Sequence, residues 1–256
     1  HAKNNAKVID FCDNEKLLER WKESEILLEQ VQKGLSDYLE TKRSVFARFY
    51  FLSNDELLSI LSESKDVKLV QPHLKKCFEG IDKVRFLKDL KIDRIISPEG
   101  EEVMLSEMID PVEKNVEHWM LELEMAMRVC ITDVMESAVL DYSVTARPRW
   151  MQKWPGMCVL NGSQMHWTTE MEDFFRNDGG NGPKLMLAAQ VAQLADMTIL
   201  VRGKLSNSAR TTVGALTVID VHARDVIKKL AETDVASPSD FGWTSQLRYY
   251  FADGLL

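Results

Sequence analysis

Residues 14–41 read NEKLLERWKESEILLEQVQKGLSDYLET, and the fold class turns on them. Leu17, Trp21, Leu28, Val31, Leu35 and Tyr38 fall on alternating steps of four and three when Ser24 is counted as a polar member. That spacing is the heptad of a helix with one narrow apolar seam. It predicts a helix from Asn14 to about Thr41, roughly 40 Å long at 1.5 Å per residue. Such a length is unusual inside a compact globule. It suits either a core helix of a bundle, or a strut or coiled-coil partner.

Working outward, Ser53 followed three residues later by Glu56 is a capping box, so a helix is expected from there to about Ser62. The aromatic triplet Phe49-Tyr50-Phe51 ahead of it would anchor its entry to the core. A helical stretch from Val67 to Gly80 should break or restart at Gln71-Pro72. Ile92 to Leu105 alternates around Ser97-Pro98-Glu99-Gly100 and reads as the one β-hairpin. Asp110-Pro111, as N-cap and first helical residue, would open a second long helix to about Tyr142. After a break near Arg147-Pro148, helices are expected over Pro155–Phe175, Lys184–Leu205 and Ser208–Asp234, with a short one after Ser237-Pro238-Ser239-Asp240. Asn177 to Pro183 reads as a flexible loop. The expected architecture is mainly α: an elongated helical-bundle rod with one small hairpin. The divisions are 1–46, a long bridging helix; 47–150, with the hairpin near 92–105; and 151–256.

Composition agrees. Glycine (12) and proline (7) together make about 7 % of 256 residues, against an average nearer 12 %, which disfavours turn-dense sandwiches and barrels. A formal charge of −8 argues against a nucleic-acid partner. Cys12, Cys77, Cys130 and Cys158 show no CxxC or zinc spacing and read as reduced, buried thiols of an intracellular protein. The polar start His1-Ala2-Lys3-Asn4-Asn5 is no signal peptide, and the apolar run Leu185–Val201 is too interrupted by polar residues to span a membrane.

Catalytic chemistry is hard to assemble. A Walker loop needs GxxxxGK[ST], and the only Gly-Lys, Gly203-Lys204, is followed by Leu205. There is no HExxH, and His118 reads as an ordinary helical residue rather than a metal ligand. In Asp220-Val221-His222-Ala223-Arg224-Asp225, a helix would pair Asp220 with Arg224 and His222 with Asp225. A local ion pair explains the pattern more cheaply than an acid–base dyad. Gly214 inside a helix implies a kink or a neighbour packed on the backbone. Trp150, Trp154 and Trp167 read as core, or as an aromatic docking surface.

Several strings together carry a resemblance: RFYFLSNDELL at 48–58, QPHLKKCFEGI at 71–81, SPEGE at 97–101, WPG at 154–156, WTTE at 167–170, IDVHARDV at 219–226 and QLRYY at 246–250. In this order they resemble the linker region of dynein heavy chains, over nearly all of residues 40–250, and look more axonemal than cytoplasmic. The Asn177–Pro183 loop departs from the pattern.

The resemblance implies a linker that lies across a ring of six AAA+ modules and bends as the first module binds and hydrolyses ATP. This chain would be the C-terminal part of that lever, with no active site, metal or cofactor of its own; ATP and magnesium would belong to the ring, whose first Walker motif would follow Tyr250. Its partners would be the ring and the rest of the linker, with the microtubule reached only through other regions. It would reside in the cytoskeleton of the cytoplasm, in a ciliary or flagellar axoneme. Candidate mechanical or interaction positions are Leu28, Phe49, Tyr50, Pro98, Gly100, Trp150, Trp154 and Arg224. The first long helix would bridge two subdomains near the bend, and the hairpin and the Trp150–Trp154 region would face other parts of the motor. Composition and periodicity alone equally allow a free-standing helical scaffold that binds a partner.

Overall fold

The computed structural model describes residues 15–62 and 66–251; Cys12 and the expected helix start at Asn14 lie outside them. The fold is mainly α with a small antiparallel sheet. Contacts divide it into two units, His1–Glu79 with Pro111–Leu121, and Gly80–Asp110 with Glu122–Leu256. This division does not follow the boundaries expected at 46/47 and 150/151.

In the first unit, α1 (Glu15–Val45) is the heptad helix. Only its C-terminal end is buried: Leu39 and the following Phe46 join Phe49, Leu57, Ile60, Leu74 and Trp119 in the core. Lys42 Nζ donates to the buried Glu117 Oε1 at 2.6 Å. Arg43 donates to the Leu52 carbonyl and to Asn54 Oδ1. A 3₁₀ turn (Ala47–Phe51) places Phe49 edge-on to Phe46 at 5.0 Å. The triplet does not act as one anchor, because Tyr50 and Phe51 are exposed. The capping box forms at the start of α2 (Asn54–Ser62): Glu56 N donates to Ser53 Oγ, and Ser53 N to Glu56 Oε2. A second 3₁₀ turn (Val67–Val70) passes into α3 (Gln71–Cys77) with Pro72 in its first turn, the restart the proline dictates.

In the second unit the expected hairpin is a three-stranded meander, β1 (Lys83–Phe86), β2 (Ile92–Ile96) and β3 (Glu102–Ile109), in sequential order. Val84 faces Ile95, and Ile95 faces Val103, so the apolar positions stack on one face. The turn Ser97–Glu101 closes with Gly100 at φ 84°.

The second long helix, α4 (Val116–Tyr142), begins later than Asp110-Pro111 suggests. Pro111 opens a turn, Glu113 takes a positive φ of 60°, and it is Asn115 whose carbonyl accepts the first helical amides. The helix is counted with the second unit from Glu122. Then follow α5 (Arg147–Lys153), α6 (Gly156–Asp178), α7 (Gly182–Arg202), α8 (Asn207–Glu232) and the short α9 (Phe241–Thr244). The expected Asn177–Pro183 loop is instead a 3₁₀ turn, Gly179–Asn181. Gly182 and Pro183, the first residues of α7, are buried beside it, and a Cβ on Gly182 would stand 2.7 Å from the Phe174 carbonyl oxygen, so glycine here permits a tight helix-to-helix corner.

Within Gly156–Arg202 a stretch is long and apolar enough, by length and composition, to cross a membrane. The segment Gly156–Arg202 as a whole bends at this corner into α6 and α7, which pack on each other and on α8. Gly214 meets no neighbour and α8 runs through it unbroken, so neither reason expected for it holds.

Candidate functional site

Arg147 is the first residue of α5, and its neighbour Pro148 fixes the turn that aims it inward. Its Nη2 donates to Ser163 Oγ of α6 at 2.8 Å and to Asp220 Oδ1 of α8 at 3.0 Å, and Nη1 lies 3.4 Å from Met197 Sδ of α7. One guanidinium thus ties four helices. Burial raises the Asp220 and Glu170 carboxyls above their ordinary values, and Arg147 opposes both shifts. Beside them, His166 stacks on Tyr142 at 3.9 Å and its Nε2 lies 3.1 Å from the Val139 carbonyl oxygen. Burial lowers the imidazole and pushes the Tyr142 hydroxyl up to about 12. With His166 Nε2 on a backbone carbonyl and Arg147 shared between Ser163 and Asp220, this polar centre ties the helices to one another.

The expected Asp220–Arg224 pair is not made: Arg147 takes Asp220, and Arg224 turns to Asp225 at 2.6 Å. A buried carboxylate gains more from a guanidinium inside the fold than from one on the surface of its own helix.

A second joint centres on Glu101 at the hairpin end. Its Oε1 accepts from Gly156 N, at the start of α6, and from Ser208 Oγ, in the first turn of α8, both at 3.0 Å. An anion at a helix N-terminus satisfies donors the helix leaves open. A third joint is the irregular segment Gln246–Phe251 that follows α9. Tyr249 N donates to Thr168 Oγ1 at 3.1 Å, Tyr250 Oη to Glu172 Oε1 at 2.5 Å, and Tyr249 and Phe251 cover Met135, Ala138, Cys158 and Met165.

Of the sequence-picked positions, Leu28, Phe49 and Tyr50 belong to the first unit and the other five to the second. Leu28 is 67 % exposed on α1, as are most members of that seam. Phe49 is core, while Tyr50 Oη donates to Glu40 at the surface. Pro98 and Gly100 form the exposed hairpin tip. Trp150 is wholly buried with Nε1 donating to the Ala138 carbonyl, and Trp154 is half-buried with Nε1 on Asp141 Oδ2. Their indole edges are thus engaged inside the unit. Arg147, Glu101 and Thr168 are functional positions that the local sequence does not single out. Their partners lie 73, 107 and 81 residues away, and the only hints were the break at Arg147-Pro148 and the quoted SPEGE and WTTE strings.

Among the described residues no group of three or more metal-ligating side chains converges. Cys77, Cys130 and Cys158 are free and buried, and burial pushes the Cys77 thiol up to about 12 and that of Cys158 to about 11, so neither is a reactive thiolate at neutral pH.

Residues 1–138 match the family profile described as dynein heavy chain, N-terminal region 2. Dynein axonemal heavy chain 1 of Mus musculus is 47 % identical over 251 residues, which is 98 % of this chain and 6 % of that protein. Dynein axonemal heavy chain 3 of Mus musculus is 46 % identical over 254 residues, again 98 % of this chain and 6 % of the relative. Dynein axonemal heavy chain 12 of Homo sapiens is 48 % identical over 237 residues, 92 % of this chain and 8 % of that protein. The chain therefore spans under a tenth of the length of these relatives.

Proposed function

This chain belongs to the dynein heavy chain family, and on that premise we propose that it is a linker element of an axonemal motor, a lever that bends and straightens over the AAA+ ring. ATP and magnesium are handled by the ring, the microtubule is gripped by other regions, and this stretch carries load. The cilium or flagellum is its setting.

The observation that carries the reading is the build of α1. Its C-terminal end is fixed by Leu39, by Lys42 on Glu117 and by Arg43 on Leu52 and Asn54, whereas Trp21, Leu28, Val31, Leu35 and Tyr38 expose an apolar seam. A helix keeps its hydrogen bonds within its own backbone and so transmits force along its axis. Anchored at one end and adhesive along one side, it is suited to bridge two bodies that must move together. The three joints built on Arg147, Glu101 and Thr168 support the same reading, since cross-ties between helices stiffen a bundle.

The test is a helix-breaking Leu28→Pro in the complete heavy chain. Microtubule gliding should fall by much more than basal ATP turnover, because the lever is cut while the ring is intact. Equal loss of both overturns the reading.

A further inference from the structure

The turn Ser237-Pro238-Ser239-Asp240 lies between α8 and α9, with Pro238 and Ser239 exposed and Ser237 half-buried. We propose that Ser237 is a phosphorylation site for a proline-directed kinase, and that its phosphate unfastens α9 by repelling Asp240.

Backbone selects the serine. Proline-directed kinases take a serine in extended backbone directly before a proline, and the proline ring itself disfavours the helical region for the residue ahead of it. The chain has two such pairs, Ser97-Pro98 and Ser237-Pro238. Ser97 is bound into the hairpin: its amide donates to the Glu101 carbonyl at 2.9 Å, and its Oγ accepts from Glu101 N at 3.2 Å. Since β2 ends at Ile96 and β3 begins at Glu102, Ser97 is extended only if the strands part. Residues 235–237 belong to no helix or strand. What holds Ser237 is the Asp240 carboxylate, whose Oδ2 accepts from Ala236 N and Ser237 N, both at 3.0 Å, together with one backbone bond from Asp240 N to the Ser237 carbonyl. A swing of one side chain and the loss of one backbone bond release it.

Charge gives the consequence. The Ser237 hydroxyl oxygen attacks the γ-phosphorus of ATP, the bond from that phosphorus to the β,γ-bridging oxygen breaks, ADP departs, and the hydroxyl proton passes to the base of the kinase. The phosphate brings a charge of about −1.5 to −2 beside the Asp240 carboxylate, and like charges so placed disrupt a turn. Asp240 also starts α9: its carbonyl accepts from Trp243 N at 3.0 Å and from Thr244 N at 2.9 Å. Trp243 is the anchor of that helix, wholly buried with its ring 5.1 Å from Trp167 and 6.0 Å from Phe175. Displacing Asp240 therefore loosens the seat of Trp243 and of the segment Gln246–Phe251 behind it.

The test incubates the 256-residue chain with a purified mitogen-activated protein kinase, ATP and magnesium, and places the phosphate by tandem mass spectrometry. One phosphate on Ser237 is expected, and none on Ser237→Ala. No phosphate on the parent chain, or one on Ser97 or Ser239 in its stead, overturns the proposal. In the phosphorylated chain, amide hydrogen exchange at Trp243–Gln246 should quicken by about tenfold. Unchanged or slower exchange overturns it. Asp240→Asn keeps an acceptor oxygen and removes the charge, so in that variant the phosphate should quicken exchange by less than about twofold. An undiminished effect there overturns the proposal as well.

Discussion

Arg147 and Asp220 stand 73 residues apart in sequence yet share a hydrogen bond of 3.0 Å, with side chains only 12 % and 13 % exposed. A charge pair at this depth is worth little over an apolar pair of the same shape, but half of it is costly. Arg147→Met alone should therefore lower the stability of the second unit by about 3 kcal/mol, because Asp220 is left buried without a counter-ion. The double variant Arg147→Met/Asp220→Leu should recover most of that loss. Urea unfolding followed by Trp fluorescence measures both, and a double variant no better than the single one contradicts the account.

His166 supplies a pH signature. Its folded value lies below the ordinary 6.5 because burial disfavours the imidazolium. The unfolded chain then takes the proton first, so stability is intact above 6.5 and declines as pH falls from there to the folded value. NMR titration should place the imidazole midpoint below 6.5, and His166→Phe should flatten this part of the stability profile.

Glu56 works in the opposite sense at lower pH. Its hydrogen bond to Lys76, and those to Ser53, bring the carboxyl down to about 2. The stabilisation is present above the ordinary value of 4.5 and is lost as pH falls towards about 2. Wild type and Glu56→Gln should therefore differ in melting temperature at neutral pH and converge in acid. A constant difference down to pH 2 contradicts it.

The glycines sort by surroundings. Gly34 and Gly214 sit in helix interiors with nothing within 4 Å of an added methyl. Each change to alanine should stabilise by about 1 kcal/mol, the helix-propensity difference. Gly156→Ala should do the reverse, since its Cβ would fall 2.7 Å from Thr212 Oγ1. Thermal melts of the three variants decide it.

Local features were legible in the sequence: the heptads of α1, the Ser53/Glu56 box, the restart at Pro72 and the turn at Pro98–Gly100 are each settled within a few residues. What escaped was set at a distance or by competition. β1 is four residues of KVRF, too short and too charged for its alternation to register until β2 pairs with it. Asp110-Pro111 carries both marks of a helix start, yet the positive φ of Glu113 defers α4 to Val116. Asp220 had a plausible partner four residues on and a better one across the bundle. Seven-residue periodicity predicted that the α1 seam would be sticky, while its exposure depends on what the rest of the chain leaves uncovered.

The fixings of the segment Gln246–Phe251 have one more consequence. Thr168 and Glu172, which hold Tyr249 and Tyr250, are four residues apart on α6 and so share one azimuth of that helix. A one-residue register step turns a helix by about 100°, which would carry both acceptors away from the tyrosines at once. The segment is thus a gauge of axial rotation in α6: both fixings hold at one setting of the helix and are lost together at the next.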